Sequence, residues 1–193
     1  MSANDARFDP SLIADLNDLL KLDHDANHAY GLAILALRDR NAKQALRGYR
    51  EDHRRHIREL NQAILAHGGV PIRLPHVPTG FFKLAMQAAG IGCGDPGILL
   101  AFKANEGQVR SKYARHAMRP YPPDIGRLVR QNAADEEEHY AWVVEMLDGM
   151  GAGAGTASGT VAWMVEMFHG RAADLIETVE WQGLCLRAQS LRR

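Results

Sequence analysis

Asp135-Glu136-Glu137-Glu138-His139 sets four consecutive acids and a histidine inside a stretch that otherwise reads as an amphipathic helix. Ile125, Leu128, Val129, Val143, Met146 and Leu147 recur around it at helical period, and Glu136 and His139 fall on the same inner stripe. Their i, i+3 spacing puts both side chains on one helix face. A buried carboxylate costs several kcal/mol unless something compensates its charge, so the partners of this pair decide what the chain is.

Working outward, the same pattern recurs earlier. Asp52-His53-Arg54-Arg55-His56 places His53 and His56 between Tyr49 and Leu60 on an inner helical face. Asp23 lies four residues after Leu19 and seven before Tyr30; Glu106 lies four after Phe102 and seven before Tyr113. From Asp23 to His53 is 30 residues and to His56 is 33, the same intervals that separate Glu106 from Glu136 and His139. Asp52 and Asp135 each precede their histidine by four. The two halves are an internal repeat of a helical hairpin, offset by 83 residues.

The rest of the pattern is helical almost throughout. Asp9-Pro10 reads as cap and first residue of a helix carrying Leu16, Leu19, Leu20, Ala26, Ala33, Ile34 and Leu37 inward. The charged run 38–40 with Asn41 reads as the turn into a second helix, which Gly68-Gly69 closes. Residues 70–95, rich in proline and glycine, read as a long crossover with one short helix over 81–89. Asp95-Pro96 reads as the cap of a third helix running to Met118, and Pro120, Pro122 and Pro123 separate it from the fourth. Two antiparallel helix pairs joined by a long crossover predict an all-α four-helix bundle over 10–148. A flexible linker over 149–160 and a C-terminal helical extension over 161–190 follow.

Composition removes several classes. With 23 basic and 23 acidic residues the formal charge is zero, which withdraws the bulk attraction that non-specific nucleic-acid binding needs. The longest apolar runs fall far short of the ~20 residues of a membrane span. Residues 1–10 show no secretory signal, and Cys93 and Cys185 make no disulfide framework, so the expected setting is the cytoplasm. Cys93, isolated among glycines, reads as a small turn residue rather than a nucleophile.

Asp23, Glu106 and Glu136 in one core need positive charge. Arg110, beside Glu106 on its helix, is the nearest basic candidate. Divalent cations answer better, because carboxylate oxygen and imidazole nitrogen together suit iron, manganese and zinc. A polar network that only fixes helix register is the competing reading; six groups on four helices at duplicated spacing favour metal. Tyr30 and Tyr113 are expected to fill the core, or to stand behind the ligands.

These residues resemble the ferritin-like superfamily of di-iron carboxylate bundles over about 10–148, and most closely small bacterial ferritin-like domains. The resemblance implies a carboxylate on helix one and Glu-x-x-His on helix two, with the same set repeated on helices three and four. Asp23, His53, His56, Glu106, Glu136 and His139 then become the metal ligands. Asp52, Asp135, Tyr30 and Tyr113 stand behind them. His53 replaces the family's bridging glutamate, and Asp23 its first glutamate. Three carboxylates face the +4 of two divalent ions, so an exogenous anion, a single metal or an asymmetric pair is implied.

The resulting expectation is a core site for one or two iron ions, or manganese or zinc, handling dioxygen, peroxide or ferrous iron. No four-cysteine electron-transfer site exists, so turnover implies an external reductant. The alternatives are a stress-associated or structural bundle whose metal only stabilises it, and a storage shell. The stripe of Val161, Met164, Val165, Phe168, Leu175, Ile176 and Val179 suits a fifth helix covering the bundle and a homodimer contact equally well.

Arg187, Arg192 and Arg193 lack adjacent stacking aromatics and are expected to bind no nucleic acid. A salt-sensitive gel shift abolished by deleting this tail would contradict that expectation.

Overall fold

The computed structural model describes residues 9–72, 94–153, 155 and 156. They form four helices, α1 Pro10–Ala36, α2 Arg40–Ala66, α3 Gly94–Ala117 and α4 Pro123–Gly149, in an all-α four-helix bundle. The short helix expected at 81–89, the C-terminal helix, both cysteines and the tail arginines lie outside the described residues.

The helix starts follow local chemistry. The Asp9 carboxylate accepts from Ser11 N at 2.9 Å and Leu12 N at 3.4 Å, and Pro10 occupies the position where no donor is needed. Asp39 caps α2 by accepting from Ala42 N at 2.7 Å, so the turn occupies 37–39 and Arg40 already belongs to the helix. At the other end of α2, Gly68 N bonds Leu65 O and Gly69 N bonds Ile64 O, with Gly68 at φ 73°. That is a Schellman stop, which favours glycine at the left-handed residue. Gly69 has a second reason: a Cβ there would meet Ile13 at 2.6 Å. The end of α2 therefore lies directly against the start of α1. Buried Asn17 pins the exit by donating to Val70 O at 3.1 Å and accepting from Ile72 N at 2.7 Å.

Asp95 behaves differently from the sequence expectation. It sits in the first turn of α3, and its carboxylate accepts from Arg38 N at 2.9 Å and Asp39 N at 2.8 Å. Backbone donors of the α1–α2 turn compete successfully for it. One hairpin thus clamps the turn of the other.

Each hairpin is antiparallel, with α1 packed on α2 and α3 on α4. Across hairpins, Asp23 meets Tyr113 while Tyr30 meets Glu106, so α1 and α3 are antiparallel as well. The same crossing pairs His56 with Asp135 and Asp52 with His139 between α2 and α4. It follows that α2 and α3 run parallel, the topology that a long crossover between hairpins produces.

Helix length then places the site. Asp23, His53 and Glu136 are the central residues of three 27-residue helices, and Glu106 is at the centre of α3. At 1.5 Å per residue each lies roughly 20 Å from either end of the bundle. Buried Leu16, Leu19, Leu20, Leu60 and Ile64 pack toward one end, and Leu46, Leu99 and Phe102 toward the other.

Replacing Asp95 by Ala should lower stability by about 1–2 kcal/mol, since three backbone contacts to a charged acceptor are lost. Urea unfolding of the D95A variant measures this; an unchanged midpoint would show that the clamp contributes nothing.

Candidate metal centre

All six predicted side chains converge at this central level. Asp23, His53, His56, Glu106 and Glu136 are 0 % exposed and His139 is 1 % exposed. They form two overlapping groups, Asp23–His53–His56–Glu136 and His53–Glu106–Glu136–His139, in each of which one donor atom per residue lies within 4.8 Å of the others. Glu136 and His53 are common to both.

The surrounding bonds fix which lone pairs face inward. His56 Nε2 lies 3.1 Å from Asp135 Oδ2, and His139 Nε2 lies 3.3 Å from Asp52 Oδ2. Each aspartate thus meets the histidine of the opposite hairpin. A carboxylate on Nε2 holds the proton there and turns Nδ1 toward the interior. His56 Nδ1 lies 3.3 Å from Asp23 Oδ1 and 3.4 Å from Glu136 Oε1. His139 Nδ1 lies 3.7 Å from Glu136 Oε2 and 4.0 Å from Glu106 Oε2. His53 Nδ1 is 2.9 Å from Asp23 Oδ1 and 3.5 Å from Glu136 Oε1.

Tyr30 and Tyr113 place hydroxyls on the same carboxylates. Tyr113 donates to Asp23 Oδ2 at 2.5 Å, and Tyr30 donates to Glu106 Oε2 at 3.2 Å. Burial raises both phenols well above their ordinary range, which keeps them protonated donors.

Two contributors were not anticipated. Arg55 reaches Asp135 at 2.7 Å and Asp52 at 3.3 Å, tying together the two acids behind the histidines. Tyr49 packs its ring on His139 with centroids 4.4 Å apart and passes the contact to Trp142 at 5.6 Å. The 83-residue offset carried a signal for Arg55, because Glu138 occupies the matching place in the second half and the repeat breaks there. Arg110 is not the internal counter-charge: it pairs with Glu137 at 3.2 Å and lies over the Tyr140 ring. His116 is buried in a separate cluster, its Nδ1 2.7 Å from the Tyr121 hydroxyl.

The electrostatics follow from burial and proximity. For Glu106, burial and the neighbouring Glu136 charge push the carboxyl up to about 7. For Glu136, burial acts upward, but the surrounding imidazoles, His53 foremost, hold it well below the carboxylate range. Burial also opposes ionisation of Asp23, and bonds from His53 and His56 overcome it and lower the carboxyl. Burial acts against charging His56, yet bonds to Asp135 and Asp23 raise it to about 11. His53 is raised too, against its burial, by Glu136 and Asp23. Without a metal, protonated imidazoles carry the positive charge that the carboxylates need.

The residues present fit a transition metal. Both Glu136 oxygens, Glu106 Oε1, His139 Nδ1 and His53 Nε2 are buried without a hydrogen-bond partner. Unsatisfied acceptors of this kind are costly in a protein interior, and a cation satisfies several at once. Mixed imidazole and carboxylate donors suit the first-row divalent metals and zinc.

A sequence family described as "Domain of unknown function (DUF2383)" matches residues 11–74, which comprise α1, α2 and the exit of the first hairpin. No curated protein and no solved structure matches the chain. None of the helices among the described residues is long and apolar enough to cross a membrane.

The pKa directions set a pH dependence for the metal-free protein. The His56 ion pairs contribute fully below pH 6.5 and are lost as pH rises through about 11. Ionising Glu106 is harder folded than unfolded, which costs stability as pH climbs from 4.5 to about 7. Glu136 and Asp23, both depressed, lose their contribution only as pH falls below their ordinary values of 4.5 and 3.8. Burial holds His116 down to about 4, which favours the folded state increasingly as pH rises to 6.5 and opposes the Glu106 effect over that range. Chelator-treated protein should therefore melt progressively lower as pH rises from about 6.5 to 8, where the loss of the His56 charge is uncompensated. A melting temperature that rises over pH 6.5–8 would mean that the core imidazoles are not charged.

Proposed function

We propose that the chain is a ferritin-like metal-binding protein whose ligands are Asp23, His53, His56, Glu106, Glu136 and His139. The observation that carries this reading is the crossed pairing His56–Asp135 and His139–Asp52, which turns two Nδ1 atoms onto three buried carboxylates. Second-sphere acids of this kind set ring orientation and ligand basicity at metal sites. A network that served only helix register has no need to leave both Glu136 oxygens without a hydrogen-bond donor.

Iron or manganese bound there would supply Lewis acidity and exchangeable electrons for dioxygen, peroxide or ferrous iron. The chain's own residues do the rest. Asp23, Glu106 and Glu136 offset the metal's charge, and Tyr30 and Tyr113 each hold a proton on a ligand carboxylate. Arg55 and Tyr49 cover the centre on the α2–α4 side and Phe102 packs on Tyr30 toward one end, which keeps bulk water from the ligands. Electrons would come from an external reductant, and the reducing cytoplasm is the proposed setting.

Complete burial of all six side chains also favours a second reading, in which the metal only stabilises the bundle. The two readings differ in turnover under a reductant, not in metal content.

Protein purified without a histidine tag should contain a transition metal by elemental analysis. A chelator should lower its melting temperature, and Fe(II), Mn(II) or Zn(II) should restore it. At a hundredfold excess over the dissociation constant the gain is about 2.7 kcal/mol. Glu136→Ala should abolish this metal-dependent gain, and Glu145→Ala, on the exposed face of the same helix, should preserve it. Identical melting with and without every metal would reject the proposal.

A further inference from the structure

The two overlapping groups are not equivalent, and their difference bears on which metal enters and where. The inference rests on the metal-binding reading above and sharpens it.

A four-coordinate ion with bonds of ~2.0–2.1 Å holds its ligand atoms about 3.3–3.4 Å apart at the corners of a tetrahedron. Around the first group the separations bracket that value. Asp23 Oδ1 lies 2.9 Å from His53 Nδ1 and 3.3 Å from His56 Nδ1. Glu136 Oε1 lies 3.5 Å from His53 Nδ1 and 3.4 Å from His56 Nδ1. Four of the six edges of such a tetrahedron, all those between an oxygen and a nitrogen, are therefore close to the length that one ion requires. Supporting bonds are in place as well: Tyr113 holds the other Asp23 oxygen, and Asp135 with Arg55 holds His56 Nε2.

The second group is looser. His139 Nδ1 is 3.7 Å from Glu136 Oε2 and 4.0 Å from Glu106 Oε2. It has to share Glu136 and His53 with the first group. A ring nitrogen serves one metal at a time, so once His53 Nδ1 is engaged the second group keeps Glu106 and His139 of its own and the shared Glu136. Charge points the same way. One divalent ion is neutralised by Asp23 and Glu136 together, whereas a second finds only Glu106 as a new carboxylate.

We infer that the centre is unequal. A single divalent ion of tetrahedral preference, zinc-like rather than iron-like, fills Asp23–His53–His56–Glu136 first, and the Glu106–His139 half takes a second ion weakly. Closed four-ligand shells suit zinc, and a position with three protein ligands leaves room for an exchangeable one. Divalent iron and manganese also stand below zinc in affinity for mixed nitrogen and oxygen donors.

Cobalt(II) tests this directly, because its visible spectrum distinguishes tetrahedral from octahedral coordination. Metal-stripped full-length protein is titrated with Co(II) and followed by absorbance, then Zn(II) is added in competition. One tight equivalent per chain with an intense tetrahedral spectrum, displaced by one equivalent of Zn(II), is expected. Asp23→Asn and His56→Ala should weaken that equivalent by at least about 100-fold, the upper end of what loss of a mere supporting contact costs. Glu106→Gln and His139→Ala should keep the spectrum, with an affinity change below about tenfold. Asp23→Asn, which preserves shape, carries the comparison if His56→Ala does not fold.

Two equivalents of equal affinity, an octahedral spectrum, or equal losses from both pairs of variants would overturn the inequality while leaving metal binding intact. Failure to bind Co(II), Zn(II), Fe(II) and Mn(II) alike would remove the metal-binding reading itself.

Discussion

Burying three carboxylates at one level of a helical bundle is the constraint from which most of the structure follows. The anionic forms of Asp23, Glu106 and Glu136 are expensive away from water, and each is answered by a specific neighbour. Imidazoles answer Asp23 and Glu136, and a tyrosine hydroxyl answers Glu106. The imidazoles need acids of their own, and those acids, Asp52 and Asp135, are joined by Arg55. The chain of compensation runs from the buried core to a guanidinium near the surface. Interrupting it among the core residues would leave an unpaired buried charge, the costly outcome for such networks.

The apolar packing is organised around this need. Equal helices place the polar level midway, so hydrophobic layers seal it from both ends. Tyr30 stacks edge-on with Phe102, its ring centroid also 4.9 Å from that of His53, and so serves the apolar core and the polar centre together. A Phe in its place would fill the same volume and leave Glu106 without its donor.

The fold was largely legible in the sequence because helical period, caps and prolines act locally. The six converging donors were legible because duplication wrote the same intervals twice, from Asp23 to His53 and His56 and from Glu106 to Glu136 and His139. What escaped was set by contacts between hairpins. Asp95 has all the marks of a helix cap, and only the proximity of the 37–39 turn shows that other donors claim it. Arg55 looks like one solvated arginine in a basic run until α4 brings Asp135 beside it. Arg110 looked like the internal cation, but Glu137 and Tyr140 hold it at the flank. In each case the residue stands plainly in the sequence, and only the packing of one hairpin on the other, or of α3 on α4, supplies its partner.

The crossed pairing also bears on how the chain folds. Bonds that complete the centre join residues 76 to 90 positions apart, from Tyr30–Glu106 to Asp23–Tyr113. The turn of each hairpin, by contrast, closes over a few residues. Contacts of such different range form on different timescales, since closing a long loop must come before its contacts stabilise anything. Neither hairpin alone can satisfy its own buried histidine at Nε2, because the aspartate that does so belongs to the other. The polar centre is therefore complete only once the two hairpins have docked. A metal held there would act at both levels, joining α1 to α2 through Asp23, His53 and His56 and joining that hairpin to α4 through Glu136.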